Sequence, residues 1–233
     1  MENVPKSIAI IPDGNRRFAK RLMLRPWKGH EWGAKKVEEV FGWCRELGVR
    51  NITFYTLSLE NLNSRPKSEL DHLMGIAKAE LDDVIKNKGN FVHKNKVKVY
   101  FFGELQKLPK DLQDTISKVQ KMTEKYSDYR INYAVAYGGR QELVGACRKL
   151  AAECPDPNMI TEQMLRHSLQ TNGSLDPDLI IRTGGEKRIS NFLLFQSAYS
   201  ELSFIDSFWP ELTKEQFMAT ISDYSQRKRR FGK

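Results

Sequence analysis

Residues 8–17 read Ile-Ala-Ile-Ile-Pro-Asp-Gly-Asn-Arg-Arg, and this stretch decides the expected fold. A short apolar run, typical of a buried strand, stops at Pro12 and is followed by polar residues and a helix-compatible segment. Backbone N–H groups at the start of a helix suit a phosphate, arginines bind it with two-pronged hydrogen bonds, and Asp13 could hold Mg²⁺. The alternative is a plain strand–turn–helix junction in which Asp13 and Asn15 only cap the helix.

Apolar runs rich in strand-forming residues recur along the chain and alternate with helix-like stretches. The predicted strands are residues 7–11, 51–57, 97–102, 131–137 and 178–182 and the shorter run 203–205, and the helix-like stretches include 34–47 and 67–85. Strands that are apolar throughout and alternate with helices are typical of a mostly parallel sheet covered on both faces. We therefore expect one α/β domain over residues 1–233, with a sheet of about six strands.

Composition narrows the class of partner. The 233 residues carry 38 Lys and Arg against 29 Asp and Glu, and the net charge of +9 calls for an anionic partner. Nucleic acid is disfavoured because no zinc-finger spacing, RNA-binding aromatic signature or helix-turn-helix is present, which leaves a phosphorylated metabolite or an anionic membrane surface. No run approaches the ~20 apolar residues of a membrane span and no signal peptide is seen, so we expect a cytoplasmic protein, at most peripheral to a membrane. Cys44, Cys147 and Cys154 form no CxxC pair and are expected to be free thiols.

Polar clusters follow four of the predicted strands, where ligands of a parallel sheet bind. They are residues 13–17, 58–65, 138–140 and 182–188, and each contains arginine. Arginines gathered at one edge of a sheet repel each other unless carboxylates or a polyanionic ligand compensate them. Glu60, Glu186 and Glu201 could do part of this, and a substrate pair carrying two diphosphates would do it better.

The helix predicted over residues 67–85 carries apolar side chains on one face, namely Leu70, Leu73, Met74, Ala77, Leu81 and Val84. One interpretation is a helix packed on the sheet through this face. The other is that part of the face lines an apolar tunnel beside the phosphate-binding edge. Periodicity alone does not separate the two.

Together these motifs resemble those of the cis-prenyltransferases, the family of undecaprenyl diphosphate synthase. The resemblance covers nearly the whole chain. It includes residues 13–20 (Asp-Gly-Asn-Arg-Arg-Phe-Ala-Lys), Gly29-His30, residues 58–61 (Ser-Leu-Glu-Asn), Arg65-Pro66 and residues 137–140 (Tyr-Gly-Gly-Arg). It continues through residues 178–183, 185–194 and 199–202, and residues 229–232 in the basic tail 225–233 are similar to the family's terminal Arg-x-Gly.

The resemblance implies a Mg²⁺-dependent (Z)-polyprenyl diphosphate synthase that acts as a homodimer. An allylic diphosphate, of the farnesyl or geranylgeranyl type, loses diphosphate from its first carbon. The double bond of isopentenyl diphosphate attacks that carbon, and loss of a proton sets a cis double bond. Repetition would grow the chain inside an apolar tunnel, where the protein stabilises the departing diphosphate and excludes water.

The resemblance also implies a role for each matching residue. Asp13 would bind Mg²⁺, with Glu201 contributing to the metal site. Asn61 would accept the proton, assisted by Ser58, and because a neutral amide is a weak base we expect a relay through diphosphate or water. His30 belongs with these catalytic candidates and would help to hold the allylic diphosphate.

The remaining implied residues bind the two substrates. Residues 14–17 and Arg65 would hold the allylic diphosphate, and Phe18 would pack on its first isoprene units. Arg182, Arg188 and Ser190 would hold isopentenyl diphosphate, and Arg230 would reach across the dimer. The full expected set is Gly14, Asn15, Arg16, Arg17, Phe18, Arg25, Glu60, Leu62, Arg65, Arg182, Arg188, Ile189, Ser190, Arg230 and Gly232.

The sequence departs from the family pattern in four places. In the loop after β-strand residues 51–57, Leu62 stands where an aromatic residue is usual, and one residue is added before Arg65. Pro26 holds the position where the family usually has an arginine, and Arg25 lies one residue before it. Ala136 stands where Asn is usual, and Gly184 where Ser is usual. The altered loop keeps open transfer of the prenyl group to another acceptor, such as an alcohol, or the role of a partner subunit of a heteromeric enzyme. The retained acid and arginines favour an active enzyme.

Overall fold

A fully parallel six-stranded sheet forms the centre of the protein, whose computed structural model describes residues 3–227. The strands are β1 Ser7–Ile11, β2 Asn51–Ser58, β3 Val97–Phe102, β4 Tyr129–Tyr137, β5 Leu179–Arg182 and β6 Glu201–Phe204. Their spatial order is β3-β4-β2-β1-β5-β6, and every neighbouring pair is parallel. The predicted α/β class and the six strands are confirmed.

Helices follow most strands and return the chain to the start of the next one. They are α1 Asn15–Arg21, α2 Pro26–Leu47, α3 Leu59–Ser64, α4 Lys67–Lys86, α5 Phe91–Lys94, α6 Lys110–Thr123, α7 Gly139–Glu153, α8 Glu162–Ser168 and α9 Lys214–Gln226. Short 3₁₀ helices lie at Leu105–Lys107, Pro157–Met159 and Trp209–Glu211. Parallel strands need such crossover connections, which cover the sheet.

The core has a layer on each face of the sheet, because alternate residues of a strand point to opposite faces. Ile8 and Ile10 of β1 belong to the larger layer, which packs against α2, α4, α6 and α9. Ala9 and Ile11 belong to the smaller layer, which includes Phe192 from the segment between β5 and β6. Burial on both faces explains why β1 is apolar at every position.

Several boundaries differ from the sequence prediction by one or two residues, at β2, β4, β5 and α4, and those of α2 and β6 have a structural reason. Helix α2 begins at Pro26 and not at residue 34, because Gly29 and Gly33 permit close packing against α1 within a continuous helix. A Cβ atom at Gly29 would lie 1.9 Å from the carbonyl oxygen of Asn15. Strand β6 is Glu201–Phe204 and not residues 203–205, because its register pairs Glu201 with Leu179.

The sheet topology brings the ends of β1 and β5 together. The chain first builds one side of the sheet from β1 through β4 and then crosses to the other side with β5. Ile11 at the end of β1 is level with Arg182 at the end of β5. Such a reversal of strand order opens a crevice at the carboxyl ends of the strands, where ligands of parallel sheets bind.

Two findings bear on the expectations from composition. Cys44, Cys147 and Cys154 are free cysteines, and Cys44 is buried. None of the helices within residues 3–227 has both the length and the apolar character of a membrane span.

Candidate active site

Asp13 and Arg182 form an ion pair across the ends of β1 and β5. The Arg182 Nη2 donates to Asp13 Oδ2 at 2.8 Å, and the Gly14 N–H donates to Asp13 Oδ1 at 2.6 Å. Burial raises the pKa of Asp13, but the hydrogen bond and charge of Arg182, with Gly14 and Arg17, outweigh it and bring the pKa below its usual value. Asp13 is therefore a carboxylate at neutral pH, and it faces the crevice.

Arg182 also connects this acid to the segment after β5. Its Nη1 donates to the Ser190 Oγ at 2.8 Å and to the Arg188 carbonyl. Its side chain is only 6% exposed, so its desolvated charge depends on these partners. The arrangement fixes the positions of three residues that the sequence predicted to bind isopentenyl diphosphate.

Glu186 holds two further arginines at the rim of the crevice. Its carboxylate lies 3.5 Å from Arg17 Nη1 and 2.5 Å from Arg188 Nη1. The side chains of Arg17 and Arg188 are 43% and 60% exposed, so these contacts are weak and can be exchanged for a ligand. Arg17 also lies 3.3 Å from Asp13.

A second cationic group surrounds Glu69 at the start of α4. Glu69 Oε1 lies 3.1 Å from Arg65 Nη1 and 3.7 Å from both Arg16 Nε and His30 Nε2. The Glu69 carboxylate is buried and holds groups from α1, α2 and the segment before α4 in one place. It sets the position of the predicted ligands of the allylic diphosphate.

His30 is neutral in this environment. Burial, with the charges of Arg65 and Arg16, lowers its pKa from 6.5 to about 3. Its Nε2 lies 3.3 Å from Arg65 Nη1, where an unprotonated ring nitrogen accepts a hydrogen bond from the guanidinium. In this structure His30 therefore positions Arg65 and adds no positive charge.

The carboxyl end of β2 carries the predicted proton acceptor. Ser58 caps α3, its Oγ accepting from the Asn61 N–H at 3.0 Å. Glu60 Oε1 accepts from Asn191 Nδ2 at 2.9 Å, which joins α3 to the segment after β5. Ser58, Glu60 and Asn61 all line the same cavity.

The segment between β5 and β6 has an unusual backbone. Positive φ angles occur at Gly184, Gly185, Ser190, Asn191 and Leu193. Left-handed conformations are costly for residues with side chains and concentrate at functional sites. A Cβ at Gly184 would lie 2.7 Å from Arg17 Nη2, so the departure from Ser to Gly makes room for that guanidinium.

A cavity of about 1540 Å³ opens at this arginine-rich edge and continues into the protein. The polar site residues line it together with many apolar side chains from several elements, including Phe54, Leu73, Met74, Ala77, Leu81, Val84, Val99, Phe101, Ile116 and Val119, and with the charged residues Lys35, Glu38 and Glu80. Its volume exceeds the ~300–1,000 Å³ typical of small-molecule pockets. Helix α4 contributes to both the core and the cavity wall, so the two interpretations of its apolar face are not exclusive.

Most of the predicted site residues lie on the cavity wall. They are Asp13, Gly14, Asn15, Arg16, Arg17, His30, Ser58, Glu60, Asn61, Arg65, Arg182, Arg188 and Ser190. Asn15 also has a structural task, since its Nδ2 donates to the Pro12 carbonyl at 2.9 Å. The structure thus brings together residues from four separate segments of the sequence.

Other predicted residues lie off the cavity wall. Phe18 is buried with its ring centroid 5.1 Å from that of Trp32, and the Arg25 guanidinium lies over the Trp27 ring. Leu62 packs against the core, and Ile189 is likewise not among the wall residues. Arg230 and Gly232 lie outside the described residues.

Glu201 is not brought to Asp13 within one chain. It begins β6, level with Leu179 at the start of β5, whereas Asp13 follows the opposite end of the sheet. The separation along the strands is at least about 10 Å. Glu201 Oε2 instead accepts from Arg227 Nη1 at 2.7 Å. A metal site shared by Asp13 and Glu201 of the same chain does not fit this geometry.

Sequence reasoning missed Glu69 and Asn191, which organise the site, and gave Glu186 only a general role in compensating the arginines. Glu69 and Glu186 hold the arginines, and Asn191 links α3 to the Arg140 N–H, which donates to its Oδ1 at 2.9 Å. The spacing of Arg65 and Glu69, four apart at a helix start, was an available signal. Asn191 contacts residues from distant segments and left no such signal. Glu186 lies two residues from one partner, Arg188, and far along the chain from the other, Arg17.

The donor set suits a Mg²⁺ ion that arrives with its substrate. Within the part of the chain that the structure describes, no three His, Cys, Asp or Glu side chains group as a metal site. Asp13 offers a carboxylate at the arginine rim, between Arg182 and Arg17. Mg²⁺ is commonly bound by one or two carboxylates together with phosphate oxygens and water, so one carboxylate is sufficient.

An anion-binding rim at the mouth of a large apolar cavity defines a protein for amphiphiles with an anionic head and an apolar chain. The comparisons with known proteins agree with this class. The sequence matches the family model described as "Putative undecaprenyl diphosphate synthase" over residues 11–232. The chain therefore belongs to the undecaprenyl diphosphate synthase family, the cis-prenyltransferases, as its motifs predicted.

Curated relatives and solved structures extend the match over the whole chain. Proteins of Methanopyrus kandleri and Pyrococcus horikoshii are 45% and 43% identical, over 99% of this chain and 85% and 88% of theirs. Both are named tritrans,polycis-undecaprenyl-diphosphate synthase (geranylgeranyl-diphosphate specific). The lavandulyl diphosphate synthase of Lavandula x intermedia, solved with dimethylallyl diphosphate, is 32% identical with a TM-score of 0.92 over 99% of both chains. A "probable undecaprenyl diphosphate synthase" of Campylobacter jejuni is 30% identical with a TM-score of 0.81 over 100% of both chains.

These findings confirm the class of enzyme predicted from the sequence. The protein is a prenyltransferase that condenses isopentenyl diphosphate with an allylic diphosphate.

Proposed function

We propose that this enzyme uses geranylgeranyl diphosphate as its primer and extends it to a long (Z)-polyprenyl diphosphate. The observation that carries the proposal is the cavity of about 1540 Å³, which is lined by the arginine rim and by many apolar side chains. A chain that grows from a diphosphate at the rim requires such a space. Relatives that are 41–45% identical over nearly the whole chain and are named as specific for geranylgeranyl diphosphate support the primer.

The two arginine groups would hold the two substrates. Arg182, Arg188 and Ser190 bind the diphosphate of isopentenyl diphosphate, while Arg17, Arg65 and the backbone of residues 14–17 bind the allylic diphosphate. Ligand phosphates replace Glu186 at the exposed arginines, because charged hydrogen bonds to phosphate are stronger than the loose ion pairs present. Two polyanions are then held side by side, which orients the reacting carbons.

Asp13 would hold Mg²⁺ against the allylic diphosphate. The bound ion would neutralise charge on the departing group. With the ion bound, Asp13 would be its protein ligand, and Arg182 has further partners in the Ser190 Oγ and the Arg188 carbonyl. Asn61 on the cavity wall accepts or relays the proton that leaves, with Ser58 holding the turn on which Asn61 lies.

The enzyme would act as a homodimer through the β6 edge of the sheet. Strand β6 is an edge strand, and edges of this kind readily pair or pack with another copy. Leu202 and the nearby Tyr199 are 39% and 70% exposed there. Glu201 and the tail with Arg230 and Gly232 would then serve the partner's site, which accounts for the position of Glu201 far from Asp13. We expect a cytoplasmic enzyme in peripheral contact with anionic membrane, without nucleic acid as a partner.

The second candidate is a short-chain condensation. The TM-score of 0.92 with a lavandulyl diphosphate synthase, above the 0.81 with the Campylobacter jejuni protein, favours it. The altered Asn61–Arg65 loop also leaves open an acceptor such as an alcohol, or a partner-subunit role. A short product would leave most of the cavity unfilled, so elongation is the better explanation of its size.

Incubation of the purified protein with labelled isopentenyl diphosphate, Mg²⁺ and one allylic diphosphate at a time tests the proposal. Dimethylallyl, farnesyl and geranylgeranyl diphosphates form the panel, and products are resolved by chain length. We expect metal-dependent incorporation of many units, fastest with geranylgeranyl diphosphate. A single-unit product from dimethylallyl diphosphate would favour the second candidate, and label in an added alcohol would favour the other acceptor.

A further inference from the structure

The turn between α1 and α2 presents three consecutive apolar side chains to solvent. Met23 is 97% exposed, and Leu22 and Leu24 on either side are 43% and 41% exposed. We name residues 22–24 the apolar tip. Isolated exposed apolar residues are ordinary, but a contiguous run at the point of a turn marks an interaction surface.

The backbone holds the apolar tip in this shape. The Met23 N–H donates to the Lys20 carbonyl at 3.0 Å, and the Leu24 N–H donates to the Ala19 carbonyl at 2.8 Å. Met23 has a φ of 56°, a left-handed conformation that is unfavourable for a residue with a long side chain. A strained, hydrogen-bonded turn that points its apolar side chains outward is built to present them.

Basic residues surround the apolar tip. Residues 20–32 contain Lys20, Arg21, Arg25 and Lys28 against the single acid Glu31. Arg21 pairs with Glu211 and Lys28 pairs with Glu31, whereas Lys20 and Arg25 are exposed and form no ion pair with an acid among residues 3–227. A small apolar wedge within a ring of cations is complementary to a bilayer with anionic headgroups.

Aromatic side chains and the cavity mouth adjoin the tip. Trp32, 42% exposed on α2, packs beside Phe18 at the root of the turn, and indole rings suit the headgroup region. Leu24 is at once part of the apolar tip and of the cavity wall, and Lys20 and Pro26 also line the cavity. Whatever receives the tip is therefore brought to the entrance of the cavity.

We propose that the apolar tip inserts into the headgroup region of an anionic bilayer and docks the cavity mouth on the membrane surface. The occupant is a lipid surface, because the cations require an anionic partner and the wedge requires an apolar layer beneath it. The inference deepens the proposed function and rests on it for its purpose: a long prenyl chain partitions into the bilayer, and docking lets substrate and product pass between membrane and cavity. The docking itself needs no turnover.

Vesicle flotation of the full-length protein without substrates tests the docking. Vesicles of phosphatidylcholine alone are compared with vesicles that also contain phosphatidylglycerol. The test variant is Met23→Asn, because asparagine tolerates the left-handed backbone and removes the apolar side chain without unfolding the turn. The matched control is Met159→Asn, at a methionine that is 64% exposed in a distant 3₁₀ helix.

We expect wild type and Met159→Asn to bind the phosphatidylglycerol vesicles equally and Met23→Asn to bind about tenfold more weakly. Lys20→Gln should weaken binding about fivefold on these vesicles and leave binding to phosphatidylcholine unchanged. Equal binding by Met23→Asn and wild type overturns the proposal, as does absence of vesicle binding by wild type. A change in molecular mass of Met23→Asn in solution would also overturn it, since the tip would then be an interface between copies.

Elongation in detergent solution separates this inference from the proposed function. We expect Met23→Asn to elongate at the wild-type rate there, since detergent replaces the membrane. A loss of rate in detergent overturns the docking role and places Met23 in substrate handling. If wild type does not elongate at all, the proposed function fails, and the vesicle comparison alone still decides whether the tip docks.

Discussion

The Asp13 carboxylate lies at the centre of the contacts in the candidate active site. Its carboxylate contacts Arg182, Arg17 and the Gly14 N–H, and it lies where β1 and β5 end together. We expect Asp13→Asn to lower elongation at least about 100-fold, because a neutral amide neither binds Mg²⁺ well nor balances Arg182. Product formation at saturating Mg²⁺ measures the effect.

The control for Asp13→Asn is Asp82→Asn, at an acid on α4 that pairs with Lys78 outside the site. Unfolding in urea shows whether each variant keeps its fold. If folded Asp13→Asn elongates at the wild-type rate, Asp13 takes no part in the reaction and is only the ion-pair partner of Arg182.

Glu69 is predicted to act through the arginines that it holds. Glu69→Gln keeps a hydrogen-bonding group near Arg65 but removes the charge that balances Arg65 and Arg16. We expect the KM for the allylic diphosphate to rise about tenfold with a smaller change in kcat, because the arginines lose their fixed positions. Steady-state kinetics, with each substrate varied separately, measure kcat and the KM for each substrate.

Glu46→Gln on the surface of α2, where Glu46 pairs with Lys214, is the matched control for Glu69→Gln. It should leave both constants unchanged. A loss of kcat without a rise in the KM for the allylic diphosphate would contradict the positioning role of Glu69.

Ala136 illustrates a departure from the family pattern that has a structural consequence. It has a φ of 49°, where an asparagine, as in relatives, is tolerated better than alanine. We expect Ala136→Gly to raise the free energy of unfolding by about 1 kcal/mol, because glycine relieves the left-handed strain. Ala134→Gly, at another buried alanine of β4 without a positive φ, should instead lower it. Urea denaturation measures the free energy of unfolding of both variants. If both variants are less stable than wild type, the backbone at Ala136 is not strained.

At the scale of elements, α4 sets one wall of the cavity. Ala77 lines the cavity, whereas Ala79 on the same helix does not. We expect Ala77→Phe to shorten the product by one or more isoprene units, because a phenyl ring fills space that the growing chain uses. Ala79→Phe should leave chain length unchanged. Mass spectrometry measures the chain lengths of the products. If Ala77→Phe leaves these lengths unaltered, the prenyl chain does not grow along this wall of the cavity.

Sequence patterns predicted these elements unequally. The strands were recognisable because burial on both faces makes each of them apolar throughout. The first turns of α2 were not, because Gly29 looks like an interruption until its close approach to Asn15 is seen. The dual use of α4 also stayed open, since periodicity identifies an apolar face but not whether protein or a cavity lies against it.

At the scale of the whole molecule, the burial of His30 beside Arg65 and Arg16 makes the free energy of unfolding depend on pH. The pKa of His30 is lowered from 6.5 to about 3, so below pH 6.5 the unfolded chain takes up a proton that the folded chain refuses. We expect the free energy of unfolding to fall as the pH drops from 6.5 towards 3, by up to about 1.4 kcal/mol per pH unit. The lowered pKa of Asp13 acts in the same direction at the acidic end.

Urea denaturation across this pH range, in wild type and in His30→Gln, measures the contribution. The variant cannot take up the proton, so its stability should depend less on pH between 6.5 and 3. Identical pH dependence in both proteins would mean that folding leaves the pKa of His30 unchanged, so that His30 becomes a cation beside Arg65 as the pH falls below 6.5.

The class of fold and the chemistry at the edge of the sheet could be read from the order and type of the residues. Apolar strands alternating with helices require a parallel sheet, and polar residues directly after those strands must lie at its carboxyl edge. Asp13, Arg17, Asn61 and Arg182 were therefore identifiable as neighbours before any distance was known. The family motifs added the reaction, since their order and types match along nearly the whole chain.

Which of these residues contact one another, and what surrounds them, depends on how the elements pack. The pairing of β1 with β5 puts Asp13 on Arg182, packing of α1, α2 and α4 gathers three groups around Glu69, and the register of β6 removes Glu201 from Asp13. The cavity is likewise a property of packing between elements far apart in the chain. Such contacts depend on register and on distances between distant segments, which local spacing along a sequence does not encode.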